Sequence, residues 1–177
     1  MVSKKIPETL EEAIASLLKD FDKCPKDEKE EIKLMAENEY VGATHHFGGM
    51  HIRNAWNLWH GSKLATWFNE RGIFHPDDMS GIIFTSFHRT IIDKPIELET
   101  QIKYYRDFCL LTTLIDDIIK PDKYKIKDLK TGEVLQFSQI KIASNKLHIP
   151  FSTFRKLIYN EDYRYKNFSH LNFNKFI

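Results

Sequence analysis

The sequence has no long apolar run, few cysteines and no apolar N-terminus. Its longest apolar runs, such as residues 81–84, are far shorter than the roughly 18 residues that a membrane-spanning helix needs. Residues 1–8 turn acidic where a secretory signal would be apolar, so we expect no signal peptide. Cys24 and Cys109 are isolated in sequence and do not form a disulfide framework. These absences predict a reduced, cytoplasmic protein with no membrane partner.

The sequence also has little net charge, but the charges are unevenly distributed. The 177 residues contain 26 Lys and Arg against 25 Asp and Glu, which gives a formal charge of +1. Residues 120–177 contain 12 basic and 5 acidic residues, a net +7, and residues 1–119 contain 14 basic and 20 acidic residues, a net −6. This balance excludes a histone-like protein with a cationic surface throughout. The asymmetry suggests a nucleic-acid partner for the basic part alone.

The spacing of apolar residues predicts a mainly α fold, with a helical domain over residues 1–119. In residues 8–22 the apolar side chains recur at intervals of three and four, and Thr9 with Glu12 fits a capping box. A second, acidic helix is predicted over residues 26–38. Further helices are predicted around residues 64–68, from His75 through Phe87, and from Pro95 to about residue 119.

Residues 40–89 differ in composition from the rest of the chain, because they contain six of the seven glycines and all three tryptophans. Gly48 and Gly49 predict a loop. After this loop, residues 52–59 are predicted to be helical, with both apolar and polar stripes. The apolar stripe consists of Ile52, Ala55, Trp56 and Trp59.

Beyond Pro121 the apolar period changes, which predicts a second domain over residues 120–177. Residues 124–129 and 134–137 read as two short strands joined by a turn, a β-hairpin. Two short helices are predicted to follow, at about residues 139–147 and 151–159. The expected architecture is a helical N-terminal domain plus a small β-hairpin and helix-turn-helix module.

The two short helices fit the helix-turn-helix pattern position by position. Ser144 occupies the crowded position that requires a small residue. His148 stands where the tight turn usually has glycine, and histidine tolerates a left-handed backbone better than most residues. The predicted apolar contacts between the helices come from Ala143, Leu147, Ile149, Phe154 and Leu157.

A second helix placed in a major groove would bring its exposed side chains to base edges and phosphates. The predicted DNA-binding residues are Lys141, Lys146, Ser152, Thr153, Arg155 and Lys156. Residues 124–168 resemble the nuclease-associated modular domain that accompanies phage and intron homing endonucleases. This resemblance implies DNA contact. The catalytic motifs of those endonucleases are not found in the chain, and the alternative is a basic packing module with no DNA partner.

The N-terminal block carries a second resemblance. Residues 52–59 and 72–80, together with residues 7–13 and 87–89, resemble an uncharacterised helical domain family of phage and bacterial proteins. The resemblance extends over residues 6–108. It implies a phage or mobile-element origin but no particular activity.

The same block contains a dense set of polar residues among tryptophans. If they converged on one cleft, the acids and histidines could hold a metal or transfer protons, the arginines could hold a phosphate, and Trp56 could stack on a base. For each residue the structural interpretation is favoured: helix capping by Asp77 and Asp78, a buried pair for Arg53, and a core of tryptophans. The candidate pocket residues are Arg53, Asn54, Trp56, His75, Asp77, Asp78, His88 and Arg89.

Metal binding and catalysis are not favoured. His45, His46 and His51 lie close in sequence but lack the i, i+4 spacing of ligand pairs borne by a helix. We therefore expect no metal, no cofactor and no catalytic residue.

The leading hypothesis is a non-enzymatic, phage-type accessory protein in the cytoplasm of an infected bacterium. It would bind DNA through the C-terminal module and a host or phage protein through the helical domain. One alternative is an inhibitor of a host defence or transcription protein that acts by protein–protein contact. Another is an enzyme acting on nucleotides or nucleic acid through the His/Asp/Arg set.

Overall fold

The computed structural model describes residues 5–119, 124–128, 134–137, 144–145, 147–159 and 171–175. The chain divides into two compact units, Met1–Tyr104 and Tyr105–Ile177, and each is described by itself. The predicted domain boundary at Pro121 lies outside the described residues. The domain bounds 1–119 and 120–177 therefore stay a prediction.

Helices make up most of the described chain, which confirms the mainly α fold. In chain order they are α1 (Leu10–Phe21), α2 (Lys26–Leu34), α3 (Glu37–Ala55), α4 (Lys63–Asn69), α5 (Pro76–Ile91) and α6 (Leu98–Ile119). Among the described helices, none is both long enough and apolar enough to cross a bilayer.

Two helices begin where local chemistry predicts. The Thr9 hydroxyl accepts a 3.4 Å hydrogen bond from the Glu12 N–H, and the Glu12 carboxylate accepts one of 3.0 Å from the Glu8 N–H. At the start of α5, Nδ1 of His75 accepts a 3.2 Å hydrogen bond from the Asp77 N–H, and Pro76 occupies the first turn. Both arrangements satisfy N–H groups that have no partner inside the helix. The predicted helix starts at these positions are confirmed.

The predicted Gly48-Gly49 loop is wrong, because both residues lie inside α3. A Cβ on Gly48 would lie 3.2 Å from the ring of Phe84, and a Cβ on Gly49 would lie 2.5 Å from the Arg53 guanidinium. Gly48 therefore lets α3 approach α5 closely, and Gly49 leaves room for the Arg53 side chain of its own helix; neither glycine turns the chain. The reason for glycine at these positions is packing in the folded protein, which the spacing of residues in the sequence does not reveal.

Two helix bounds also differ from the expectation. The predicted helix over residues 26–38 ends at Leu34, and the extended residues Met35 and Ala36 separate α2 from α3. The predicted helical face over residues 52–59 is confirmed only as far as Ala55, where α3 ends. Asn57 has a left-handed backbone (φ 56°), which ends the helical path after α3 and leads into a short 3-10 turn at Leu58–His60.

Helix α5 is the centre of the Met1–Tyr104 unit and contacts α1, α3 and α4. It is buried around most of its circumference, as expected for a central helix. Aromatic rings join the neighbouring helices to it: Phe21 of α1 meets Phe87 edge to face at 5.7 Å, and Tyr40 of α3 meets Phe84 at 6.3 Å. Burying each such large apolar side chain stabilises the fold by roughly 1.5–3 kcal/mol.

The Tyr105–Ile177 unit contains a three-stranded antiparallel sheet of order β2-β1-β3. Its strands are β1 (Tyr124–Asp128), β2 (Val134–Phe137) and β3 (Leu171–Lys175). Tyr124 pairs with Phe137 on one side and Lys175 on the other. The unit also contains α7 (Phe151–Tyr159). The pairing of β3 with β1 was not predicted, because the two strands are far apart in sequence.

Candidate functional site

At the N-terminal end of α5, the polar residues converge on Arg53. Arg53 lies on α3 and is buried, with 7% of the residue exposed. Its Nη1 donates a 2.8 Å hydrogen bond to the Ser80 hydroxyl of α5. A longer contact of 3.5 Å joins Nη1 to the His45 carbonyl. Nε lies 3.1 Å from the Asp77 carboxylate but does not point at it, so this contact is an ion pair without a hydrogen bond. The predicted pair of Arg53 with an aspartate is therefore present.

His75 completes this end of the helix. Since its Nδ1 accepts the Asp77 N–H, the 3.5 Å contact between Nδ1 and the Asp77 carboxylate is not a charged pair. The ring also meets Trp59 edge to face at 5.7 Å. The residue that caps α5 is therefore His75, not Asp77 or Asp78 as predicted; the two aspartates lie in the first turn, near the positive end of the helix dipole.

The other predicted residues of this region differ in burial. Trp56 is completely buried, as the core interpretation requires, and its Nε1 has no hydrogen-bond partner among the described residues. Asp78 is buried, whereas Asn54 is exposed on α3. Two residues that contact Arg53, Ser80 and Gly49, were not predicted. Gly49 lies four positions before Arg53 in the same helix, a spacing that could have drawn attention to it.

At the C-terminal end of α5, Arg89 joins α5 to the start of α3. Its Nε and Nη2 donate to the two carboxylate oxygens of Glu37 at 2.6 and 3.0 Å, and Nη1 donates to the Ile96 carbonyl at 2.8 Å and to Glu97 at 3.1 Å. The hydrogen bonds from Arg89 hold the pKa of the Glu37 carboxyl below its ordinary value, and the same contact raises the pKa of Arg89. This bidentate geometry is the strong form of an ion pair.

His88 is completely buried beside this pair. Its ring stacks on Tyr40 at 4.7 Å, and its Nε2 donates to the Ile32 carbonyl at 3.2 Å. Its Nδ1 has no hydrogen-bond partner among the described residues. Burial raises the pKa of the Tyr40 phenol. The His88 side chain of α5 therefore contacts both α2 and α3.

The candidate residues therefore form two groups at opposite ends of α5. His75 and His88 are thirteen positions apart, which corresponds to about 20 Å along the helix axis at about 1.5 Å per residue. Each group links α3 to α5. Among the described residues, no group of three or more His, Cys, Asp or Glu could hold a metal ion. The geometry gives the set a role in fixing helix packing.

The Tyr105–Ile177 unit contains a tight turn before α7. The Ser144 hydroxyl is buried and donates to the Ile149 carbonyl at 2.5 Å, and the Ile149 N–H donates to the Ser144 carbonyl at 2.9 Å. Between them, His148 has a left-handed backbone (φ 52°), as predicted for the glycine-like position. Phe154 of α7 is completely buried, as predicted for an apolar contact between helices.

The predicted DNA-binding residues are only partly described. Ser152 and Thr153 are half-buried on α7, and Lys156 is exposed. Arg155 lies in α7, but its side chain is outside the described residues, as are Lys141 and Lys146.

Comparison with known proteins finds a match to one family model of unknown function, within the helical unit. Residues 6–91 match the family model of DUF6794, a domain of unknown function. A trichloroethene reductive dehalogenase from Dehalococcoides mccartyi is 32% identical over 89 residues, which cover 49% of this chain and 16% of that protein. No solved structure matches the chain. The predicted resemblance of the N-terminal block to an uncharacterised family is thus confirmed over residues 6–91, and that to the nuclease-associated module stays a prediction.

Proposed function

We propose that the chain is a non-enzymatic accessory protein that binds DNA through its C-terminal unit and another protein through its helical unit. In this proposal the β1–β2 hairpin and α7 belong to a helix-turn-helix module of the nuclease-associated type. The protein would be of phage type and would act in the cytoplasm of an infected bacterium.

The observation that carries the proposal is the turn between Ser144 and α7. A helix-turn-helix needs a small buried residue before the turn, a left-handed residue within it and an apolar anchor on the second helix. Ser144 is small and buried, and Phe154 is an apolar residue buried on the second helix. His148, within the turn, has a left-handed backbone. The residue types follow from the sequence, but the φ of 52° at His148 is an independent structural feature.

The charge of this unit also supports a DNA partner. Residues 120–177 hold the whole positive surplus of the chain, a net +7. Phosphate contacts by such lysines and arginines supply most of the affinity of non-specific DNA binding. Lys156 is exposed on α7, where a recognition helix presents side chains to the major groove.

The proposal is tested by fluorescence anisotropy of the full chain with a labelled random-sequence duplex, at salt concentrations from about 50 to 200 mM. We expect salt-sensitive binding. An Arg155→Ala/Lys156→Ala variant should bind about tenfold more weakly at low salt, because two phosphate contacts are lost. The slope of log K against log salt should become shallower by about 1.8, at about 0.9 per contact.

The matched control is Lys26→Ala/Lys33→Ala, which removes two exposed positive charges from α2 and leaves the C-terminal unit unchanged. It should bind DNA as the parent chain does. A full chain that does not bind at the lowest salt would contradict the proposal. So would equal losses in the two double variants, since these would indicate a general charge effect.

A second candidate function is inhibition of a host defence or transcription protein by direct contact. The observation that favours it is the presence of large exposed apolar side chains on the helical unit, including Leu34 at 85% exposure and Phe47 at 83%. A pull-down from nuclease-treated host lysate separates the two functions. A stoichiometric host protein, combined with no DNA binding by the purified chain, would favour inhibition.

A further inference from the structure

The outward face of α3 carries large apolar side chains in water. Phe47 is 83% exposed and Met50 is 52% exposed, and the two lie one helical turn apart on the same face. Ala43, His46 and Asn54 are exposed at the spacings that complete this face. The opposite side of α3 packs on α5. A helix at the surface of a globular unit normally presents polar residues outward, so this face is unusual.

The same face has no charged group at its centre. The sequence contains no Asp, Glu, Lys or Arg between Glu39 and Arg53, and Arg53 is buried on the side towards α5. Helix α2, by contrast, is mostly charged. Covering the centre of the α3 face would therefore bury no ion, which removes the largest penalty of forming an interface. A strongly acidic or basic partner would find no complementary charge there.

We propose that α3 packs antiparallel against α3 of a second copy of this chain, with the two-fold axis between His46 and Phe47. The dimer goes beyond the proposed function and does not depend on DNA binding. A two-fold interface uses the same surface on both subunits, and an uncharged apolar helix face is complementary to itself.

The residues that would meet across this axis fit one another. Met50 of one copy lies opposite Ala43 of the other, with Gly42 beside it. A Cβ on Gly42 would meet nothing within 4 Å, so the surface there is open to an incoming side chain. Glu39 lies opposite Asn54, so a carboxylate meets an amide donor and no like charges face each other.

The size of the face sets the expected affinity. α3 has 19 residues and is therefore about 28 Å long, at about 1.5 Å per residue. A contact made by one such helix is smaller than the roughly 800 Å² per partner of a standard interface. We therefore expect a weak dimer with a Kd in the range of about 1–100 µM.

Sedimentation equilibrium of the full chain without DNA, at concentrations that bracket this range, tests the inference. The parent chain should pass from monomer to dimer as its concentration rises. Phe47→Glu should raise the Kd at least tenfold, because it places two carboxylates at the centre of the interface. The matched control is Leu34→Glu, which changes an equally exposed apolar residue outside this face and should leave the Kd unchanged. Circular dichroism checks that both variants keep their helix content.

Cross-linking locates the interface directly. In a chain with Cys24 and Cys109 replaced by serine, a His46→Cys variant should give a covalent dimer with a short thiol cross-linker. A Leu34→Cys variant should not.

A chain that stays monomeric throughout the concentration range would overturn the inference. A dimer that Phe47→Glu leaves intact would overturn it too. Either result leaves DNA binding by the purified chain as a separate measurement. A monomer that binds DNA counts against the dimer alone, and a dimer that does not bind DNA counts against the proposed function alone.

Discussion

The two ends of α5 are joined to α3 in different ways. At the N-terminal end, the Arg53 side chain is 8% exposed, donates to a neutral hydroxyl and lies beside Asp77, which is 34% exposed. At the C-terminal end, the Arg89 side chain is 17% exposed and forms a bidentate pair with Glu37, which is 34% exposed. Each end uses one arginine, but only Arg53 lies against a glycine of its own helix, Gly49.

The comparison teaches that burial, more than the number of contacts, decides how much an arginine matters for stability. Arg89 makes more polar contacts than Arg53, yet water can replace many of them when the side chain is lost. Removing Arg53 leaves a cavity and unsatisfied acceptors that water reaches poorly. The N-terminal end of α5, where the arginine makes fewer contacts, should therefore lose more stability when its arginine is removed.

The largest expected effect is that of Arg53→Ala. We expect a loss of about 3 kcal/mol in the free energy of unfolding, because a buried guanidinium is removed and its partners are left unpaired. Urea denaturation followed by circular dichroism measures it. Arg89→Ala is the matched comparison and should cost about 1–2 kcal/mol. Equal losses for the two variants would show that burial does not decide how much each arginine contributes to stability.

The next effect concerns the space that Gly49 leaves for the Arg53 side chain. Gly49→Ala would place a Cβ about 2.5 Å from the Arg53 guanidinium, so that side chain must shift. We expect a loss of about 1–2 kcal/mol despite the better helix propensity of alanine. Gly42→Ala in the same helix is the control, since its Cβ meets nothing within 4 Å and should stabilise by up to about 1 kcal/mol. If both variants stabilise the protein, Gly49 has no packing role.

The smallest effect is a dependence of stability on pH at the other end of α5. The pKa of Glu37 is lowered from its ordinary value of 4.5, chiefly by the Arg89 hydrogen bond. In the unfolded chain the carboxyl regains its ordinary pKa and binds a proton more readily. The stabilisation from the pair is thus complete above about pH 5 and is lost as pH falls through the lower, folded pKa.

Glu37→Gln removes this titration and tests it. We expect a loss of about 1 kcal/mol at pH 7, since Glu37 is about a third exposed, and a smaller difference from the parent at the lowest pH. Unfolding free energies at a series of pH values from 7 to about 3 give the result. A gap between parent and variant that persists at low pH would mean that the ion pair is not its source.

Much of the fold could be predicted because its signals are local. Thr9 with Glu12, and His75 with Pro76, mark helix starts through hydrogen bonds within one turn. The left-handed backbone at His148 follows from the crowding of a tight turn. The candidate site was only partly predictable. Its residue types were identified, yet their division between two ends of α5 depends on which helix packs against it.

The sequence by itself determined the helical character, the starts of α1 and α5 and the separation of charge between residues 1–119 and 120–177. These properties depend on neighbours within a few positions or on composition. Only the tertiary structure decided that Gly48 and Gly49 lie in a helix, that Ser80 receives the Arg53 hydrogen bond, and that β3 pairs with β1. The physical reason is that the local conformational preference of a glycine or a hydroxyl residue does not specify which distant residue it will contact. Its role is fixed when two elements pack and one of them needs the space or the acceptor.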